Sequence, residues 1–175
     1  MRGAALLFHV RSPPCKDDPM YRLDWLRNHL QHSDTYALWL YRQFAYEFAD
    51  QPLEDWQREF AEGQRSGEWQ CLVALDGERL LGGAALAEDD LPGRDDLGPW
   101  LACVFTTPEA RGQGIAERLI QGICEQARHQ GHTRLYLHTQ DRADYYARRG
   151  WAPLELFQAW GAEHTLMWRA LDGAA

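Results

Sequence analysis

Between an apolar run, Leu101 to Phe105, and an amphipathic segment that begins at Ile115, the chain reads Arg111-Gly112-Gln113-Gly114-Ile115-Ala116. A turn of this kind, at a strand-to-helix junction, constrains the fold more than any other stretch. Its glycines let several backbone N–H groups converge on one point, and the helix N-terminus adds partial positive charge there. It reads as a phosphate-binding turn. A P-loop would need Gly-Lys-Ser/Thr closing the turn, and none is present. A dinucleotide fingerprint would need a third glycine or an alanine at the position of Glu117, where an acid would repel phosphates. What remains is Arg-x-x-Gly-x-Ala.

The 175-residue chain is long enough for one domain with a sizeable core. Its net charge of −8 argues against nucleic acid or an anionic membrane surface as the main partner, and is compatible with a cationic substrate. Cys15, Cys71, Cys103 and Cys124 include no C-x-x-C pair, and three of them sit in apolar stretches. They read as buried free thiols, which suits a reducing, cytoplasmic compartment. No stretch is long enough to span a bilayer. The Pro-rich segment Ser12 to Pro19 reads as part of a tail over residues 1–19, with a single domain at 20–175 and a second candidate translation start at Met20.

Tyr21 to Leu26 is expected as a first strand. Asp34 is expected to cap a helix, Thr35 to Ala49, that is dense in aromatics, and Pro52 breaks it. Leu53 to Gln64 follows as a second helix, with Leu53, Trp56 and Phe60 at helical spacing. Trp69 to Leu75 and Leu80 to Ala87 form a hairpin around Asp76-Gly77, and an acidic loop runs from Glu88 to Gly98. Trp100 to Thr106 is the next strand. The third helix spans Ile115 to Gln130, with Ile115, Leu119, Ile123 and Ala127 on one stripe. Arg134 to Thr139 is a strand and Asp141 to Arg149 a short helix. Pro153 to Gln158 and Thr165 to Leu171 are the closing strands. A strand–helix–strand unit should be parallel and right-handed, and the rest antiparallel. The fold class is therefore α/β in the mixed α+β sense: a central twisted mixed sheet of about six or seven strands with helices on both faces.

The Arg-x-x-Gly-x-Ala turn resembles the pyrophosphate loop of the GNAT superfamily of N-acetyltransferases, which bind acetyl-coenzyme A. Three further features resemble that family in the same order: Pro108 after Val104-Phe105-Thr106, the strand Leu135 to Thr139, and the segment Tyr145-Tyr146-Ala147-Arg148-Arg149-Gly150-Trp151. The resemblance covers most of residues 21 to 171. It extends to a subgroup of unassigned substrate with an acidic loop, here Glu88-Asp89-Asp90-Leu91-Pro92, before the cofactor strand.

The resemblance implies a GNAT fold with a splayed pair of parallel strands, Trp100 to Thr106 and Arg134 to Thr139. The pantetheine arm of acetyl-CoA would pair with exposed backbone of Val104, Phe105 and Thr106. Arg111, Gly112, Gln113, Gly114, Ile115 and Ala116 would hold the pyrophosphate. Gln140, near a position where many members have Asn, is a further cofactor-binding candidate. The implied reaction is direct attack of a primary amine on the thioester in a ternary complex. Tyr146 matches the family's usual proton donor to the departing thiolate. A backbone N–H near Phe105 or Thr106 would stabilise the oxyanion.

The cofactor strand carries no acid, which departs from many members. Glu88 is then the first candidate base, Asp89 and Asp90 come next, and a water chain without a dedicated base stands beside them. The acceptor would be a small-molecule or peptide amine of unknown identity, and a homodimer through an exposed terminal strand is compatible with the pattern. The alternative reading is a non-catalytic module of this fold that binds acyl-CoA as a sensor or scaffold. His129, His132 and His138 straddle a helix end and a strand, and read as surface histidines rather than metal ligands. Trp39 and Tyr46, on the first helix, are candidates for shaping the acceptor cleft.

Overall fold

A computed structural model describes residues 20–48 and 50–171. The expected tail over 1–19, and Cys15 within it, lie outside the described residues. Strands β1 (Arg22–Trp25), β2 (Gln70–Asp76), β3 (Arg79–Ala87), β4 (Trp100–Thr106), β5 (Arg134–Thr139), β6 (Ala152–Ala159) and β7 (Ala162–Ala170) form one seven-stranded sheet in the order β1-β2-β3-β4-β5-β7-β6. Helices α1 (Ser33–Gln43) and α2 (Leu53–Ser66) cover one face. Helices α3 (Ile115–His129) and α4 (Ala143–Ala147) cover the other. The sheet is antiparallel except where β4 runs parallel to β5. This is the expected mixed architecture. Among the described residues, no helix is long and apolar enough to cross a membrane.

Period explains the layers. On α3 the stripe Ile115, Leu119, Ile123 and Ala127 is buried against Leu72, Leu86, Leu101, Leu135 and Leu137 of the sheet. Each Leu or Ile taken out of water there contributes roughly 1.5–3 kcal/mol. On the opposite face Tyr36, Leu40, Trp56 and Phe60 pack on Val73, Leu75 and Ala85. Cys71 and Cys124 are buried free thiols, and Cys103 is half-buried and free.

The first helix departs from expectation at both ends. It starts at Ser33 behind His32, so Asp34 lies inside its first turn rather than capping it. It ends at Gln43, and Phe44 to Phe48 turn instead of continuing to Ala49. The Phe44 N–H closes the last helical bond onto the Leu40 carbonyl, and the Glu47 N–H then bonds the Phe44 carbonyl. Closely spaced aromatics, Phe44, Tyr46 and Phe48, hid this exit, because aromatic side chains carry only a weak preference against helix.

Two features of β4 position the site. Its ladder with β5 consists of a single register pair, Trp100 with Tyr136, so the strands part beyond Trp100. It also bulges: the register against β3 shifts between Gly83 and Ala85, and Cys103 takes φ 57°. Gly83 makes room for the bulge's anchor. A Cβ there would come 2.6 Å from the ring of Tyr36, whose hydroxyl donates to the Cys103 carbonyl.

Candidate active site

The splay of β4 from β5 opens a cleft of about 990 Å³ that runs from the Arg111–Ala116 turn to the turn after α1. One wall is the C-terminal half of β4, with Val104, Phe105 and Thr106. The far wall is His138, Thr139 and Gln140 of β5 and its exit, and Tyr146 of α4 closes the side. Beyond Trp100 the edge of β4 that faces β5 has no strand partner, which leaves backbone groups free to pair with an extended ligand. Thr106 Oγ1, buried in this wall, also has no hydrogen-bond partner among the described residues.

The turn ahead of α3 has the geometry of an anion cradle. Gly112 and Gly114 sit at φ 77° and 73°, in the left-handed region open to glycine. An added Cβ at either would meet no protein atom within 4 Å, so within the chain itself the glycines serve backbone conformation. Among the described residues, the N–H groups of Gly112, Gln113 and Gly114 have no backbone partner. Those of Ile115 and Ala116 open the helix, where intrahelical acceptors are missing. Arg111 is turned back, its Nε donating to the Thr106 carbonyl at 3.3 Å. Gln113 directs its side chain to the Glu109 carbonyl at 3.5 Å and does not line the cleft. Free N–H groups at a helix N-terminus, an unpaired strand edge and an orphaned threonine hydroxyl together fit an extended ligand with a diphosphate.

Of the expected site residues, Val104, Phe105, Thr106, Arg111, Gly112, Gly114, Ile115, Ala116, Gln140 and Tyr146 all line this one cleft. Glu88 does not: it is exposed at the end of β3, while Asp89 and Asp90 line the cleft. The sequence reading missed Glu47. The exit from α1 brings it into the cleft beside Tyr46, opposite Asp90 and His138. Burial, then the charge of Asp90, push its carboxyl up to about 7, against the smaller opposing influence of His138 and a hydrogen bond from Tyr46. The one signal for it in the sequence is an acid enclosed by aromatics, Phe44-Ala45-Tyr46-Glu47-Phe48.

His138 also departs from expectation. It is no surface histidine: its side chain is 7% exposed, and Nε2 lies 3.2 Å from Asp90 Oδ2. Burial disfavours its charged form, but the hydrogen bond and charge of Asp90, joined by Glu47, outweigh burial and raise its pKa. Burial pushes the Tyr46 hydroxyl up to about 12, helped by Glu47, Asp141 and Asp90. Burial, followed by Tyr145, raises Tyr146 as well, so its phenol keeps its proton at any ordinary pH. No group of three or more metal-ligating side chains occurs among the described residues.

A family model described as Acetyltransferase (GNAT) family matches residues 20–151. The chain belongs to the GNAT acetyltransferase family. Members use acetyl-CoA, and the cleft of this acetyltransferase has the features such a ligand needs. No curated protein matches it. Among solved structures, it is similar to an aminoglycoside 6'-N-acetyltransferase complexed with coenzyme A, at 15% identity and TM-score 0.69, covering 88% of this chain and 99% of that one. It is similar to aminoglycoside 6'-acetyltransferase type Ii at 18% identity and TM-score 0.68, with the same coverage of 88% and 99%. The aminoglycoside 6'-N-acetyltransferase from Enterococcus faecium is 15% identical with TM-score 0.65, again over 88% and 99%. At these identities the likeness is one of fold.

Proposed function

We propose that this acetyltransferase acetylates a primary amine, with Glu47 as the general base and Tyr146 as the proton donor. The observation that carries the reading is Glu47, a carboxyl held near neutrality at the end of the cleft away from the anion cradle. A base is most effective when its pKa lies near the working pH, and an alkylammonium of pKa roughly 10.4 must lose a proton before it can attack. A Glu47 that is partly ionised near pH 7 meets that need better than the exposed Glu88. It also weakens the reading of the fold as a non-catalytic module.

Acetyl-CoA, when bound, supplies the activated acetyl thioester. The chain's own groups divide the remaining work. The free N–H groups of Gly112 to Ala116 bind the diphosphate, and the unpaired edge of β4 aligns the arm. Tyr146 holds a proton on Oη and, because burial keeps it there, acts only as a donor. Glu47, Asp89, Asp90 and Asp141 line the acceptor end with Phe44 and Tyr46, a lining that favours a small cationic amine over an anionic one.

Two measurements test this. Calorimetry should find acetyl-CoA binding that is abolished by the double substitution Arg111→Glu, Gly114→Glu; a folded wild type that does not bind would sink the assignment. With an acceptor found among diamines, aminoglycosides or short peptides, Glu47→Gln should cut kcat/KM by roughly 10²–10⁴. Tyr146→Phe should lower kcat with acetyl-CoA affinity little changed. Full turnover by either variant would remove that residue's role.

A further inference from the structure

Three arginines line the cleft: Arg111, Arg142 and Arg149. Arg111 commits its Nε to the Thr106 carbonyl. Arg142 is largely exposed and lies 3.6 Å from Asp141. Arg149 is held differently. It follows α4, and its backbone N–H bonds the Tyr146 carbonyl at 2.8 Å. Its guanidinium lies over the Tyr145 ring, 3.7 Å from the centroid, and Nη1 donates to the Tyr145 carbonyl at 3.0 Å. Tyr145 in turn meets the Tyr146 ring edge-on. A guanidinium has five N–H donors. Among the described residues the Arg149 side chain makes that one hydrogen bond, and its Nε is buried with no partner.

Nη2 of Arg149 lies 3.8 Å from Glu117 Oε2, in the first turn of α3. That is an ion pair too long for a hydrogen bond. It brings the charge to the anion cradle, because Glu117 directly follows Ala116. An acid there repels any phosphate on the cradle, in a chain whose net charge is already −8, and Arg149 is the cation that offsets it. We propose that Arg149 seats a phosphate of the acyl donor beside the Gly112–Ala116 turn, with Glu117 as the weaker partner that the phosphate replaces. This rests on the reading of that turn as the diphosphate cradle. A phosphate oxygen can approach a guanidinium to about 2.7–2.9 Å, closer than Glu117 does, and can take two of its donors at once. The Tyr145 ring and carbonyl already hold the guanidinium in one place, so little side-chain freedom is lost on binding. The acyl donor offers this chemistry twice, in its diphosphate and in the 3′-phosphate of its ribose.

Calorimetry on the full chain tests this, with coenzyme A and 3′-dephospho-coenzyme A as the two probes. Arg149→Met keeps the stem on Tyr145 and removes the charge. It should weaken coenzyme A binding by roughly ten- to a hundredfold. An equal loss for both probes assigns the phosphate to the diphosphate, and a loss confined to coenzyme A assigns it to the ribose. Glu117→Gln changes a side chain that is 64% exposed, so it keeps the test standing if Arg149→Met fails to fold. It should tighten binding by roughly two- to fivefold. A mere brace between α3 and α4 would behave otherwise, since loss of either partner would weaken binding. Unchanged affinity for both probes in Arg149→Met, or binding by Glu117→Gln that fails to tighten, would overturn the proposal. A folded wild type that binds neither probe would remove the cradle reading and this proposal with it. The readout needs no acceptor and no turnover, so it stands apart from the role of Glu47.

Discussion

A carboxyl pushed from its ordinary 4.5 up to about 7 leaves a mark on stability as well as on chemistry. Between those two values the folded protein binds more protons at Glu47 than the unfolded chain does. Stability from this residue is therefore full below about 4.5 and is lost as pH rises through 7. Glu47→Gln should then leave stability nearly unchanged at pH 4 and raise it by roughly 1–3 kcal/mol at pH 8. Urea unfolding at the two pH values reads this directly, and an equal effect at both would show that the carboxyl is not perturbed. A variant that is more stable and less active would mark Glu47 as a place where packing was given up for function. The sequence offered no route to that pKa. It depends first on burial at the turn where α1 stops, and then on Asp90, forty-three positions away.

At the scale of elements, the β4 bulge depends on a contact from α1. Tyr36 is fully buried, and its hydroxyl reaches the Cys103 carbonyl through the space left by Gly83. Gly83→Ala sets a methyl against that ring and should cost about 1–3 kcal/mol. Tyr36→Phe leaves the ring but strips the half-buried Cys103 carbonyl of its donor, for about 1–2 kcal/mol. Both should weaken acetyl-CoA binding by distorting β4, whereas Gly77→Ala, in an open hairpin turn, should leave that affinity alone; thermal melts and calorimetry would separate the cases. Helix α3 was legible because Ile115, Leu119, Ile123 and Ala127 repeat at helical spacing and Gly114 starts the helix. The end of α1 was not, because Phe44, Tyr46 and Phe48 suit a helix face and an aromatic cleft wall equally well. The glycines of the Arg111–Ala116 turn stand out in the sequence, but the left-handed φ that Gly112 and Gly114 adopt is visible only in the structure.

For the whole molecule, hydrophobic period and two turn signals were enough to order the strands and helices, because local pattern dictates which faces must be covered. The splay itself followed from family likeness and from no feature of β4 or β5 alone. Its extent is now plain. In the sheet, β1 to β4 meet β5 to β7 at a single ladder position, Trp100 with Tyr136, and the packing of α3 beneath both halves joins them. Trp100 is 1% exposed, and its loss should disturb the whole cleft rather than one wall. We expect Trp100→Ala to cost about 3–5 kcal/mol and to abolish acetyl-CoA binding with it. A stable variant that still binds would show that α3 alone holds the halves in place.

The missing rungs between β4 and β5 have one more consequence. A ligand lying along the free edge would do what an eighth strand does. The melting temperature should accordingly climb with the logarithm of acetyl-CoA concentration, by about 2.7 kcal/mol of added stability at a hundred times the dissociation constant. Amide exchange at Val104 to Thr106 should slow in step. For such a chain the supply of its own substrate becomes a condition of its durability, and starvation for the acyl donor would be felt first as a softer protein.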